Sequence, residues 1–192
     1  MYSGEQAALA FVYCDYKDSR SQTALSLISS LVRQLAEQHK AMPSEVRKAY
    51  ADHTDGEKSL SVSECTELLF SLSVGFRRTF ILVDALDECS DDTDEGQSDQ
   101  QVLITALLRL QRVSDDQRHC SALITSRKNR RVERQLAKHT CIEIRATNQD
   151  IESYVGSRIF DVERFAFAKE VKSNPDLGQT IVGKLIENAQ GM

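Results

Sequence analysis

Residues 79–92, Thr79 to Asp92, read TFILVDALDECSDD, and this stretch decides how the chain folds. Its first half, Thr79 to Val83, is apolar and rich in aromatic and β-branched side chains, which suit a pleated, buried strand. Its second half carries carboxylates at Asp84, Asp87, Glu88, Asp91 and Asp92. A strand over Thr79–Ala85 therefore ends in crowded negative charge. Neighbouring carboxylates repel, and each unpaired one resists ionisation, so a cation or basic partner would relieve them.

Working outward, strands alternate with helices. Ala8–Cys14 (ALAFVYC) is expected as a strand. Thr23–Gln38 has Leu25, Ile28, Leu31, Val32 and Leu35 at helical spacing, with Ser21 or Thr23 placed to cap it. Pro43–Ala51 is expected as a short helix, with Pro43 in the first turn, and Ala51–Lys58 as a turn. Val62–Leu72 is helical, Asp91–Gln100 is an acidic loop, and Gln101–Val113 is an amphipathic helix. Cys120–Thr125 (CSALIT) is a strand, Asn129–His139 a basic helix, and Thr140–Ile144 (TCIEI) a further strand. From Asn148 onward only helices are expected, over Ile151–Ile159, Phe165–Val171 and Ile181–Asn188. The alternation predicts an α/β fold with a parallel sheet covered on both faces.

The 192 residues, 41% of them hydrophobic, suffice for one domain with a core. A net charge of -5 excludes a general nucleic-acid footprint, although Arg127 to Arg134 is locally basic. No apolar run approaches the ~20 residues of a membrane helix. The N-terminal residues lack a basic n-region and an apolar h-region, so no secretory signal is expected. Five scattered cysteines without a C-x-x-C pair point to thiols in a reducing cytosol, and to a cytoplasmic location. His39, His53, His119 and His139 are dispersed and expected on the surface.

In a parallel α/β sheet, ligands bind beyond the carboxyl ends of the strands. Asp84 sits at such an end, where a carboxylate can hold a hydrated Mg²⁺ that bridges nucleotide phosphates. Glu88 falls where a water attacking a phosphate would be polarised, and Asp87 could do either job. The alternative, that Asp84 caps the next turn and the later acids are solvated loop, accounts for Asp91 and Asp92. A second strand end, Ala122–Arg127 (ALITSR), offers Thr125, Ser126 and Arg127. The planar fork of Arg127 suits phosphate oxygens, though a turn Arg on the surface, or a basic partner for the acids, is equally compatible. Arg130, Arg131, Arg134 and Lys138 read as a solvated basic face.

LVDALDEC followed by ALITSR resembles the Walker B (residues 80–88) and sensor 1 (residues 122–127) segments of NACHT-type ATPases, members of the STAND class of P-loop NTPases. FVYCDYKDSRSQTALSLISSLVRQL is similar to the second strand and following helix of the nephrocystin-3-like branch found in fungal NLR-like proteins. NQDIESYVGSRI resembles the junction into a helical domain, and LIENAQGM the start of a longer segment. The resemblance implies a three-layer P-loop NTPase core over residues 1–147 and the start of a helical domain over 148–192. It further implies ATP or ADP with Mg²⁺ as cofactors and a slow, nucleotide-controlled conformational switch. Asp84 would hold the metal, Asp87 and Glu88 would position water, and Thr125, Ser126 and Arg127 would contact the nucleotide. The parent would self-associate in an NLR-like oligomer, with no nucleic acid or membrane partner.

One departure is decisive. A P-loop NTPase requires G-x-x-x-x-G-K-[ST], and no stretch matches; the only Gly-Lys pair, Gly183-Lys184, falls in the helical tail. By resemblance the P-loop would precede Met1, so the chain is expected to be an internal fragment, an incomplete gene model or a natural remnant, and to bind nucleotide poorly by itself. The implied strand order is Thr140–Ile144, an absent strand, Cys120–Thr125, Thr79–Ala85, Ala8–Cys14. An exposed inner edge leaves backbone groups unpaired, so marginal stability is expected. Two other readings compete: a non-catalytic interaction or scaffold fragment, and a metal-dependent nuclease or phosphatase, for which no His or further acidic cluster completes a two-metal site.

Overall fold

Strand β2, Phe76–Asp84, is the centre of the sheet. A computed structural model of the chain describes residues 5–18, 22–54, 59–89, 96–111, 119–159 and 168–189. β2 pairs in parallel with β1 (Glu5–Tyr13) on one side and β3 (His119–Ile124) on the other. The order β1-β2-β3 is the one expected for these three strands. The register sets Ala10 beside Ile81 beside Ala122, and Phe11 beside Leu82 beside Leu123. Side chains alternate across a strand, so these two rows face opposite sides of the sheet.

The first row belongs to the core. Helices α1 (Ala24–Gln38), α3 (Val62–Ser73) and α4 (Asp99–Gln111) pack against one another and bury Ala8, Ala10, Val12, Ile81 and Val83. α2 (Ser44–Thr54) lies against α3. The start of α1 follows from Thr23, whose hydroxyl accepts the Ser26 N–H. α3 starts on a capping box, in which Ser61 and Glu64 satisfy each other's backbone donors. Strand β2 begins at Phe76, ahead of the expected Thr79, and Thr79, buried within it, donates its hydroxyl to the Ser73 carbonyl at 3.0 Å.

The second row corrects the expectation of a sheet covered on both faces. Leu9, Phe11 and Tyr13 of β1, Phe80 of β2 and Leu123 of β3 stand exposed, Leu123 at 60%. The described helices α1, α3 and α4 share one side, so unit 1 shows two layers among the described residues.

The outer edge of β1 is closed by side chains. Gln34 accepts the Phe11 N–H at 3.0 Å and donates to the Phe11 carbonyl at 2.8 Å. Gln38 does the same for Leu9, at 3.1 and 2.8 Å. Gln22 accepts from the Asp15 N–H at 2.7 Å and donates to the Tyr13 carbonyl at 3.4 Å. A primary amide carries one acceptor and one donor in the geometry of a peptide group. Each glutamine therefore stands where one residue of a further strand would.

The chain divides into two units, Met1–Lys138 and His139–Met192. Asn129 caps α5 (Arg130–Gln135), the last helix of the first unit, which is shorter than the expected Asn129–His139. In the second unit the expected strand over Thr140–Ile144 is not formed: residues 140–147 carry no regular secondary structure, and Ile142 and Ile144 are highly exposed. A strand is stable only against a partner, and no described segment pairs with this one. Helices α6 (Asn148–Ile159), α7 (Ala168–Ser173) and α8 (Pro175–Ala189) follow, with α8 packed on both others. α6 begins where NQDIESYVGSRI predicts, on an exchange in which Thr147 and Asp150 bond each other's backbone N–H groups. The Thr147 hydroxyl, donating to the Asp150 carboxylate at 2.7 Å, and then the Thr147 N–H hold that carboxyl below the usual carboxylate range. Gly183 and Lys184 lie within α8.

Smaller differences have local causes. α2 runs on to Thr54, into the expected turn. α4 begins at Asp99, because Ser98 and Gln101 bond across its first turn. His39 is half-buried: its ring centroid lies 4.3 Å from that of Phe76, tilted by 45°, and the ring lies against Gly75, where an added Cβ would meet it at 2.5 Å. The expected loop residues Asp91 and Asp92, Val113, and the first half of the Phe165–Val171 helix lie outside the described residues.

Candidate functional site

The strand ends at Asp84 and the chain turns sharply at Ala85, whose φ of 54° and ψ of 47° are left-handed. The turn feeds a single 3-10 turn, Leu86–Glu88, anchored by the fully buried Leu86 side chain. The next hydrogen bonds continue the β2–β3 ladder past the end of β3. Thr125 N–H donates to Val83 O and Leu86 N–H donates to Thr125 O, both at 2.9 Å. The loop after the central strand is thus held by the segment after its neighbour.

Side chains complete the junction. The Thr125 hydroxyl donates to a carboxylate oxygen of Asp84 and accepts the Ala85 N–H at 2.9 Å. Asp87 accepts the Arg127 backbone N–H at 2.8 Å, and its other oxygen lies 3.7 Å from the Arg127 Nε. The Asp87 side chain is 16% exposed and that of Arg127 85%, so the aspartate is fixed and the guanidinium reaches into solvent. Glu88 turns the other way and accepts the Tyr16 N–H at 3.3 Å. Ser126 donates to the Arg127 carbonyl at 2.8 Å.

The structure therefore joins Asp84 to Thr125 and Asp87 to Arg127, ties Glu88 to the segment after β1, and leaves Ser126 in a local turn. Three further contributors were not read from the sequence. Gln100, buried in α4, donates to the Leu86 carbonyl at 3.0 Å. Asp99 accepts the Ala24 N–H at 2.8 Å and so fastens α4 to the start of α1. Cys14 lies behind the loop: its N–H donates to the Asp84 carbonyl at 3.0 Å, and its thiol is hydrogen-bonded to Cys89. That bond holds the Cys14 thiol below its usual value, against the opposing effects of burial and of the Asp84, Asp87 and Glu88 charges. Gln100 and Asp99 share a helix start just after an acidic run of sequence, and composition alone offers no signal for either.

The donor set meets half of what a magnesium nucleotide needs. Mg²⁺ takes one or two carboxylates and fills its remaining positions with water and phosphate oxygens. Asp84, half-buried and oriented by Thr125, fits one such carboxylate. Among the described residues no group of three or more His, Cys, Asp or Glu side chains could hold a metal by itself. The Gly-rich cradle for phosphates is absent from the 192 residues. Among the described residues, too, no helix is long and apolar enough to cross a membrane.

A 90-residue stretch is 33% identical to the vegetative incompatibility protein HET-E-1 of Podospora anserina, covering 44% of this chain and 6% of that protein. The chain thus spans a small part of the length of that relative. No solved structure matches it. Residues 2–127, which contain β1, β2, β3 and the Asp84–Arg127 junction, match the family described as nephrocystin 3, N-terminal. The chain belongs to that nephrocystin-3-like, NACHT-related family.

Proposed function

We propose that the chain is part of a NACHT-type nucleotide-switch module in an NLR-like signalling protein of the cytoplasm. The observation that carries this reading is the Asp84–Thr125 pair at the adjoining carboxyl ends of β2 and β3, the place where parallel α/β sheets bind ligands. A bound Mg²⁺ would supply charge neutralisation to the phosphates of ATP or ADP. Asp84 would hold the metal, directly or through a water on it, and Thr125 sets the carboxylate's direction. Asp87 holds Arg127 by the backbone, leaving its guanidinium extended toward solvent for a terminal phosphate. Glu88, anchored on Tyr16, remains the candidate for positioning water, while Ser126 is a weaker contact. Self-association of the parent belongs to the same proposal.

The test is a titration of the whole chain with fluorescently labelled ATP and Mg²⁺. Binding weaker than micromolar, dependent on Mg²⁺ and lost in Asp84→Ala, is expected. Micromolar binding that survives Asp84→Ala would contradict these assignments. The second reading, a non-catalytic interaction fragment, is favoured by the missing phosphate cradle and by the exposed row Leu9, Phe11, Phe80 and Leu123. It gains if no nucleotide binding is detected at any Mg²⁺ concentration.

A further inference from the structure

Two of the five cysteines meet behind the loop that carries Asp87 and Glu88. Cys14 follows the last residue of β1 and is 5% exposed; Cys89 closes the 3-10 turn and is 3% exposed. The two segments are fastened together at independent points, by Cys14 N–H on the Asp84 carbonyl and by Tyr16 N–H on Glu88. Both side chains belong to the same buried cluster, and Cys89 is the neighbour that most lowers the Cys14 thiol. Of the other cysteines, Cys65 bonds Ser29 across a helix pair, Cys120 lies on β3, and Cys141 is exposed in the second unit.

We propose that Cys14 and Cys89 are a redox-modification site, a dithiol that a hydroperoxide converts to an intrachain disulfide. The sulfur of one thiol attacks a peroxide oxygen. The O–O bond breaks, water (or an alcohol, from an organic peroxide) leaves, and a sulfenic acid remains. The sulfur of the second thiol then attacks the sulfenic sulfur. The S–S bond forms, the S–O bond breaks, and the hydroxyl leaves as water with the second thiol's proton. Two thiols lose two electrons and the peroxide gains them. The new bond pins the turn Leu86–Glu88 to the end of β1, so the loop can no longer move independently of that strand. Its effect on magnesium nucleotide rests on the function proposed above; formation of the bond does not.

Both sulfurs are buried, so oxidation waits for local opening of the loop. The crosslinking rate should therefore level off as peroxide is raised. The experiment uses the whole chain carrying Cys141→Ser, which removes the exposed thiol. After hydrogen peroxide treatment, remaining thiols are alkylated and the protein is digested with trypsin under non-reducing conditions. Peptide 1–17 joined to peptide 79–109 is expected as the sole crosslink, reversed by dithiothreitol. The same oxidation in urea should give mixed pairings. The proposal is overturned if Cys14 and Cys89 remain alkylatable after a dose that oxidises the urea-unfolded chain. It is equally overturned if the native chain gives the same mixture of pairings as the unfolded one. Cys89→Ser provides a further check: it must abolish the crosslink while Cys14 stays recoverable as a thiol or sulfenic acid.

Discussion

At the scale of single residues, the site depends on Ala85. A left-handed conformation costs a residue with a Cβ roughly 1–2 kcal/mol, and Ala85 adopts it so that Leu86 can enter the core. Ala85→Gly should be neutral or stabilise by up to about 1 kcal/mol, since relief of strain is partly offset by a freer unfolded chain. Ala85→Val, β-branched, should destabilise by about 1–2 kcal/mol. Equal urea midpoints for the two variants would refute a left-handed Ala85. Cys120 offers a pH test. Burial pushes its thiol up to about 11 from 9.0. The folded state then holds that proton more tightly than the unfolded state. Stability is fully present below about pH 9 and falls as pH rises toward 11. Cys120→Ser should flatten that alkaline decline in a series of urea melts; an unchanged slope would exclude Cys120 as its source.

At the scale of elements, β1 is an edge strand that is already occupied along its outer side. Gln34 and Gln38 lie one helical turn apart on α1 and meet residues two apart on β1, so the helix and strand repeats coincide for two contacts. This closes a surface that would otherwise template strand pairing. The double variant Gln34→Ala/Gln38→Ala should speed amide exchange at Leu9 and Phe11 by about fivefold, corresponding to loss of a net bond energy of about 1 kcal/mol at each. It should also raise concentration-dependent association in sedimentation runs. Unchanged exchange at both amides would show that the glutamines do not protect the edge. The helix over Thr23–Gln38 was legible from its apolar spacing and its Thr cap. The task of its polar glutamines was not, because a Gln facing a strand edge and a Gln facing water have the same sequence signature.

At the scale of the whole molecule, the sheet is protected unevenly. β1 is sealed, whereas β3 pairs with β2 alone among the described residues, and one face of the sheet displays Leu9, Phe11, Tyr13, Phe80 and Leu123. Exposed apolar rows and open edges favour association. The chain should therefore unfold at low urea; a cooperative transition matching that of a longer chain containing a phosphate loop would sink this expectation. Residues 140–147 form an exposed stretch without regular structure at the start of the second unit. Such stretches are where proteases cut first. Brief trypsin treatment should cleave at Arg145 before Arg33 or Arg109, which lie within helices; early cleavage inside α1 or α4 would refute this.

The sequence alone determined the three strands and their parallel pairing, because local hydrophobicity and period carry that information. Their order followed from the family resemblance, and β2 spans Phe76–Asp84 where Thr79–Ala85 was expected. The sequence also named Asp84, Asp87, Glu88, Thr125 and Arg127 near the stop, but not Gln100, Asp99 or Cys14. Tertiary structure decided the rest. Asp87 binds the Arg127 backbone, Glu88 faces Tyr16, Gln34 and Gln38 close an edge, and Cys14 meets Cys89. Each of these is a contact between segments distant in the chain, and no local pattern encodes which polar side chain will reach which backbone group. TCIEI shows the converse: its residues favour a strand, but a strand exists only where a neighbour supplies the other half of the hydrogen bonds.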